Sequence, residues 1–110
     1  MAIPHAAPNE VVDVRPLARA IREDDSQLLI RTEHLEVFRY ALPAGKSIQA
    51  HTAAGTMIVQ CIEGAVAFTA LGRTQTLASG DLLYLPDGEP HSLEALEDSS
   101  LLVTILLHRV

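Results

Sequence analysis

The chain alternates between short apolar runs and turn-forming residues, and the turns recur about every ten residues. Glycine, proline, aspartate and serine mark these turns, because they accept the backbone conformations that a tight reversal requires. The runs between the turns predict extended segments at Leu28–Thr32, Leu35–Leu42, Lys46–His51, Met57–Ile62, Ala65–Ala70, Thr74–Leu77, Leu82–Leu85, His91–Leu96 and Leu101–Leu107. Many short strands with frequent turns are typical of an all-β sandwich or barrel.

The N-terminal third follows this pattern less clearly. Residues 10–14 form a short β-type run, whereas residues 16–22 begin with proline and place Leu17 and Ile21 on one helical face. We therefore predict a short strand, then a helical turn, and a simple turn at the acidic residues 23–26. The chain is expected to form one domain, with an N-terminal arm and first strands at 1–33 and a barrel at 34–110.

The last predicted strand, residues 101–107, is apolar on both faces. A strand with one face in water alternates between apolar and polar residues, so this strand is expected to be covered on both sides. We expect the cover to be a second copy of the chain in a homodimer. The alternative is that the N-terminal arm folds over the strand.

Composition narrows the classes of partner and location. The 110 residues are 48% apolar and 20% charged, which indicates one globular domain. The net charge of -6 opposes binding to nucleic acid, and the apolar runs are too short to cross a bilayer. The single cysteine, Cys61, has no partner for an internal disulfide, which favours a cytoplasmic protein.

Candidate chemistry lies in two segments, each of which contains one histidine. In residues 80–91 a strand is followed by a Pro-Gly turn that delivers His91 in a fixed direction, as a binding site requires. In residues 43–64 a glycine-led strand carries His51. Period-2 geometry places Gln49, His51 and Ala53 on one strand face, and Met57, Val59 and Cys61 on one face of the next strand.

The two segments resemble the two signature motifs of the cupin superfamily, which are small jelly-roll or double-stranded β-helix barrels. The second motif is matched at four positions, Gly80, Pro86, Gly88 and His91. The first motif is matched at Gly45, His51 and Gly64. The resemblance covers residues 34–107 and implies an RmlC-like cupin barrel.

Three positions depart from the motifs. Ala53 and Met57 replace the second histidine and the glutamate of the first motif, and Ala95 replaces the asparagine of the second. In metal-binding cupins, three histidines and a glutamate hold Fe, Mn, Ni, Zn or Cu, so the resemblance leaves only His51 and His91 as metal ligands. Two imidazoles form a weak site for a divalent metal, because catalytic zinc normally has three protein ligands.

The other candidate pocket residues each have a structural alternative. Met57 is a possible soft ligand, but methionine readily fills gaps in a core. Gln49 either lines the pocket or faces solvent if its strand is bulged. Tyr84 either places its phenol at the pocket mouth or packs half-buried beside the leucines.

Three functions follow from the resemblance. The first is binding of a small organic molecule, with the histidines holding a polar or anionic group. The second is a metal-dependent enzyme, of the dioxygenase or isomerase type, acting on a small organic acid or sugar. The third is a metal-free epimerase or isomerase with a histidine base and Tyr84 as acid, although no inward carboxylate is evident to orient the base.

Overall fold

The computed structural model describes residues 5–107, and its regular secondary structure consists almost entirely of antiparallel strands. These are β1 (Gln27–Arg31), β2 (Leu35–Leu42), β3 (Ser47–His51), β4 (Gly55–Glu63), β5 (Ala65–Ala70), β6 (Arg73–Ala78), β7 (Leu82–Leu85), β8 (His91–Ala95) and β9 (Ser99–Leu107). Each of the extended segments expected from the sequence overlaps one of them, with ends that differ by up to two residues. Within residues 5–107, no helix is long and apolar enough to cross a membrane.

The strands form two sheets, as a jelly roll requires. The larger sheet has the order β1-β2-β9-β4-β7, and the smaller one the order β3-β8-β5-β6. Non-consecutive strands are neighbours in both sheets, so the chain passes repeatedly from one sheet to the other. The predicted all-β jelly-roll barrel is confirmed.

The core lies between the two sheets. Met57, Val59 and Cys61 alternate inward along β4 and are 6%, 1% and 0% exposed, as the period-2 pattern predicts. They pack with Phe68 of β5 and Val103 of β9, among other apolar side chains. The interior is therefore filled at the end near Cys61, and any space for a ligand lies elsewhere along the barrel.

The N-terminal arm differs from its two predicted elements. Residues 10–14 are not a strand, and Val11 is 94% exposed, because no neighbouring strand pairs with them. Residues 16–22 are not helical: Ala18 has a φ of 58°, which a right-handed helix excludes. The residues predicted to be a simple turn instead contain a short 3₁₀ helix at Glu23–Asp25.

Distant carboxylates explain the course of this arm. The backbone N–H of Leu17 donates to the Glu63 carboxylate at 3.0–3.1 Å, and the N–H of Ile21 donates to Asp98 at 2.9 Å. Glu63 also accepts hydrogen bonds from Arg39 at 3.0 Å and from Ser100 at 2.6 Å. These bonds satisfy the backbone donors of an extended arm and replace the bonds that a helix would form.

The arm covers only part of the larger sheet's outer face. Its hydrogen bonds to Glu63 hold it beside Ser100, which also donates to Glu63 and is fully buried at the start of β9. Further along β9, Leu101 and Val103 face the core, whereas Leu106 on the outer face is 47% exposed. The arm therefore does not account for cover along the whole of β9, and the homodimer stays a prediction.

The division of the domain at residue 34 also stays a prediction. Strand β1 lies on the arm side of this boundary, yet it pairs with β2 in the larger sheet. The predicted segments extend to residues 1–4 and 108–110, which lie outside the described residues.

Candidate functional site

His51 and His91 lie opposite one another on neighbouring strands. They are register partners between β3 and β8, and their ring centroids are 4.3 Å apart with a tilt of 57°. His91 is buried, with 4% exposure, whereas His51 is exposed. The pair therefore extends from the solvent-accessible edge of the barrel toward its interior.

The turn before β8 orients His91. Gly88 has a φ of 76°, and the N–H of Glu89 donates to the carbonyl oxygen of Pro86 at 3.3 Å. The carbonyl oxygen of Glu89 in turn bonds Nδ1 of His91 at 3.1 Å. On β3, Nδ1 of His51 bonds the carbonyl oxygen of Gln49 at 3.0 Å. Both rings are thus held through the same nitrogen by the carbonyl two residues earlier.

These contacts fix the tautomers of the neutral rings. A carbonyl oxygen only accepts hydrogen bonds, so Nδ1 must carry the proton in both histidines. Nε2 then presents a lone pair and is the nitrogen that can serve a ligand. The pair therefore offers two acceptor nitrogens in its neutral state.

The surroundings of His91 favour its neutral state. Burial lowers the pKa of His91 below its ordinary 6.5; the bond to Glu89 opposes this shift, and nearby His51 adds to it. Its ring also stacks on Phe68, with centroids 5.8 Å apart and an interplanar angle of 7°. His91 is consequently uncharged at neutral pH.

A cavity of about 280 Å³ opens beside the pair, between the two sheets. Most of its lining is apolar, with the side chains of Ile48, Met57, Val59, Phe68, Leu93, Val103 and Ile105. The polar side chains around it are few: His51, His91, Glu36, Tyr40 and Thr52. A predominantly apolar cavity with a few convergent polar groups is the usual form of a small-molecule site.

Three of the five candidate pocket residues line this cavity, namely His51, His91 and Met57. Gln49 does not, because a register shift between Ile48 and His51 turns both of those side chains inward and leaves Gln49 exposed. Tyr84 does not either, because it alternates with buried Leu85 on β7 and is 68% exposed on the outer face.

Glu36 and Tyr40 line the cavity but were not among the predicted site residues. They share the inward face of β2 with Phe38, whose ring lies 4.9 Å from that of Tyr40 in an edge-to-face contact. Oε2 of Glu36 lies 3.4 Å from Nε of Arg31, and the Glu36 side chain is 26% exposed. The sequence could have identified Glu36, because the period-2 alternation along β2, counted back from Tyr40, places Glu36 on the apolar face.

The donor set falls short of a resident metal centre. Within residues 5–107, no group of three or more histidine, cysteine, aspartate and glutamate side chains is placed to hold an ion. The thiol of Cys61 points instead to the carbonyl oxygens of Glu63 and Gly64, and burial raises its pKa to about 11. Two imidazoles remain, which does not fit a site with three protein ligands.

In the part of the chain that the structure describes, no carboxylate hydrogen-bonds to Nδ1 of His51 or His91, as the orientation of a histidine base would require. Backbone carbonyl oxygens occupy Nδ1 of both rings. Tyr84, the expected acid, lies outside the cavity lining. The geometry therefore gives no support to the metal-free epimerase hypothesis in the form that the sequence predicts.

Known proteins resemble the chain in sequence and fold. The family described as the AraC-like ligand binding domain matches residues 33–107. A cupin superfamily protein from Desulfitobacterium hafniense is 16% identical, with a TM-score of 0.78 over 98% of this chain and 100% of its own. The comparison with curated proteins finds no significant match.

Two further solved structures are similar. An RmlC-like cupin from Desulfovibrio desulfuricans is 25% identical, with a TM-score of 0.71 over 87% of this chain and 97% of its own. A predicted oxalate decarboxylase from Thermotoga maritima is 26% identical, with a TM-score of 0.69 over 76% of this chain and 79% of its own.

Proposed function

Because the chain belongs to the AraC-like ligand-binding family and has the cupin fold, we propose that it binds one small organic molecule beside His51 and His91. The observation that carries this proposal is the location of the histidine pair in an otherwise mostly apolar cavity of about 280 Å³. The ligand's apolar part contacts the cavity walls, and its polar part contacts the pair.

The two parts of the cavity contribute differently to binding. Removing apolar ligand surface from water supplies about 25 cal/mol for each Å² buried, and it does so in any orientation. The histidines add direction, because their rings are held by hydrogen bonds of 3.0 and 3.1 Å before a ligand arrives. Such preorganisation lowers the entropic cost of binding.

A thermal-shift screen of small neutral, cationic and anionic organic compounds tests this function. We expect at least one compound to raise the unfolding temperature of the wild type, because binding to the folded state alone stabilises it. The shift should disappear in the His51→Ala/His91→Ala variant. It should persist in Gln49→Ala, which changes an exposed residue on the same strand as His51.

A metal-dependent enzyme is the second hypothesis, and the similarity to the predicted oxalate decarboxylase favours it. The two-histidine donor set weighs against it. Elemental mass spectrometry of protein purified without chelator decides between the two. One transition metal per chain, lost in the His51→Ala/His91→Ala variant, would replace the binding proposal with the enzyme hypothesis.

We also propose that the protein is a cytoplasmic homodimer, paired through the outer face of β4, β7 and β9. Ile58, Leu82, Tyr84 and Leu106 are exposed there, and no outward residue of these strands from Gly55 to Gln60, Leu82 to Leu85 or Leu101 to Leu107 is charged. Two copies with a net charge of -6 repel one another, so an uncharged face suits their contact best. The lone free cysteine, Cys61, supports the cytoplasmic location.

A further inference from the structure

The polar groups that line the cavity are mainly hydrogen-bond acceptors. When the two rings are neutral, Nε2 of His51 and Nε2 of His91 both carry lone pairs, since the Nδ1 protons are directed to the carbonyl oxygens of Gln49 and Glu89. Among residues 5–107, Glu36 is the only acidic or basic residue in the lining apart from the histidines, and it is an acceptor when ionised. The hydroxyl groups of Tyr40 and Thr52 are the polar side chains there that can both donate and accept.

We propose that the ligand's polar end is a hydrogen-bond donor, a primary amine or a hydroxyl group, and not a carboxylate. This inference rests on the proposed function, because it names the chemistry recognised at the same cavity. A primary ammonium has three N–H donors and can serve both acceptor nitrogens, whose rings are 4.3 Å apart. A hydroxyl has one donor, and a carboxylate has none.

A carboxylate would meet two obstacles at this site. To bond either histidine it needs a proton on Nε2, and therefore a positively charged imidazole, whereas buried His91 stacks on Phe68 in an environment that disfavours charge. It would also enter a cavity that acidic Glu36 lines. Arg31 offsets Glu36 little, because its side chain is 59% exposed and the pair distance is 3.4 Å.

Hexylamine, hexanol and hexanoate provide the test, because they share one apolar body and differ in the head group. Dissociation constants are measured at pH 7.5 by NMR titration of the labelled protein, following cavity resonances such as those of Met57 and Ile105. Hexanol, with one donor, should bind about fivefold more tightly than hexanoate, because one net hydrogen bond on the order of 1 kcal/mol corresponds to about a fivefold change in affinity. Hexylamine, with several donors, should bind about tenfold more tightly than hexanoate, or better.

Two variants assign the head group to the proposed atoms. Glu36→Gln removes the charge and keeps the shape, so it should weaken hexylamine and leave hexanol unchanged. His51→Ala removes one exposed acceptor and should reduce the preference for both donors over hexanoate. Gln49→Ala is the control and should change none of the three dissociation constants.

The failure of this inference differs from the failure of the proposed function. If none of the three compounds shifts a cavity resonance, the proposed binding function fails. If hexanoate binds as well as the other two, only the donor inference fails. Nitrogen NMR of the histidine rings provides an independent readout: a proton on Nε2 and a bare Nδ1 would overturn the donor inference whatever binds.

Discussion

At the residue scale, two backbone carbonyl oxygens determine what the histidines offer to a ligand. The carbonyls of Gln49 and Glu89 hold Nδ1, and Nε2 is left to the cavity. The sequence predicts that His51 and His91 meet, but it does not predict their tautomers, because these depend on distances of about 3 Å. From the sequence, we expect the pair to hold a polar or anionic group of the ligand. This geometry favours a polar group that donates hydrogen bonds.

The structure explains why a glycine occupies position 64, the last position of the first motif. Its φ is 82°, and a Cβ at this position would clash with the carbonyl oxygen of Asp98 and the side chain of Ser99. Gly72 has a similar φ of 71°, but a Cβ there would meet no atom. Substitution of the two glycines therefore distinguishes the energetic cost of the backbone conformation, which both positions share, from the cost of steric clash, which arises only at Gly64.

We predict that Gly64→Ala lowers the free energy of unfolding by about 3 kcal/mol or more, through strain and clash together. Gly72→Ala should lower it by only about 1 kcal/mol, since only the left-handed conformation is disfavoured. Urea denaturation measures both values. Equal losses in the two variants would contradict the packing role of Gly64.

At the element scale, the strands could be predicted from the sequence much better than the segments that flank them. All nine predicted extended segments overlap strands, because apolar runs and turn residues are local signals. The path of the arm is not local: Leu17 bonds Glu63, which is 46 residues away. The bulge in β3 is also invisible to simple alternation, and it is the reason that Ile48 and His51 line the cavity while Gln49 does not.

Glu63 links the arm to the sheet in a cluster that is mostly buried. The side chains of Arg39 and Glu63 are 6% and 15% exposed, and their charged atoms are 3.0 Å apart. We predict that Glu63→Ala lowers the free energy of unfolding by about 3 kcal/mol, because it leaves the Arg39 guanidinium buried without its carboxylate. Glu94→Ala, at an exposed position, should change it by less than about 0.5 kcal/mol. An equally small effect at Glu63 would refute the linking role.

The same cluster predicts a dependence of stability on pH. Partial burial opposes ionisation of Glu63, but hydrogen bonds from Ser100, the arm backbone and Arg39 outweigh it and lower the pKa of Glu63 below its ordinary 4.5. The unfolded chain therefore takes up this proton more readily than the folded one. The resulting stabilisation is present above pH 4.5 and is lost as the pH falls toward the lowered pKa.

Unfolding free energies of the wild type and Glu63→Gln, measured from pH 7 downward, test this prediction. The wild type should lose more stability below pH 4.5 than the variant, which lacks the titrating group. The other carboxylates are common to both proteins and cancel in the difference. If the unfolding free energies of the two proteins fell in parallel with pH, Glu63 would not contribute to the pH dependence of stability.

At the scale of the whole molecule, the barrel has a cavity between its sheets and an uncharged patch on the outer face of β4 (as far as Gln60), β7 and β9. Tyr84 lies 68% exposed on that face, opposite Ile58 in the register of β4 and β7. Side chains on the outer face are separated from the cavity by the sheet itself. The proposed dimer formation and the proposed ligand binding can therefore be changed independently.

We predict that Tyr84→Asp converts the proposed homodimer to a monomer, because it places two charges of the same sign across a twofold contact. Leu71→Asp is the control: Leu71 is 69% exposed but lies in the turn between β5 and β6 of the other sheet. Sedimentation velocity reports the oligomeric state. A monomeric wild type, or a dimer that survives Tyr84→Asp, would contradict the proposed interface.

The measurement that tests the central claim most directly is calorimetric titration with the compound that stabilises the protein most in the thermal-shift screen. The wild type and Gln49→Ala should each bind one molecule per chain, and the His51→Ala/His91→Ala variant should bind it at least about tenfold more weakly. Cooperative unfolding of the double variant confirms that it is folded. Unchanged affinity in this folded variant would show that the histidine pair is not the ligand site.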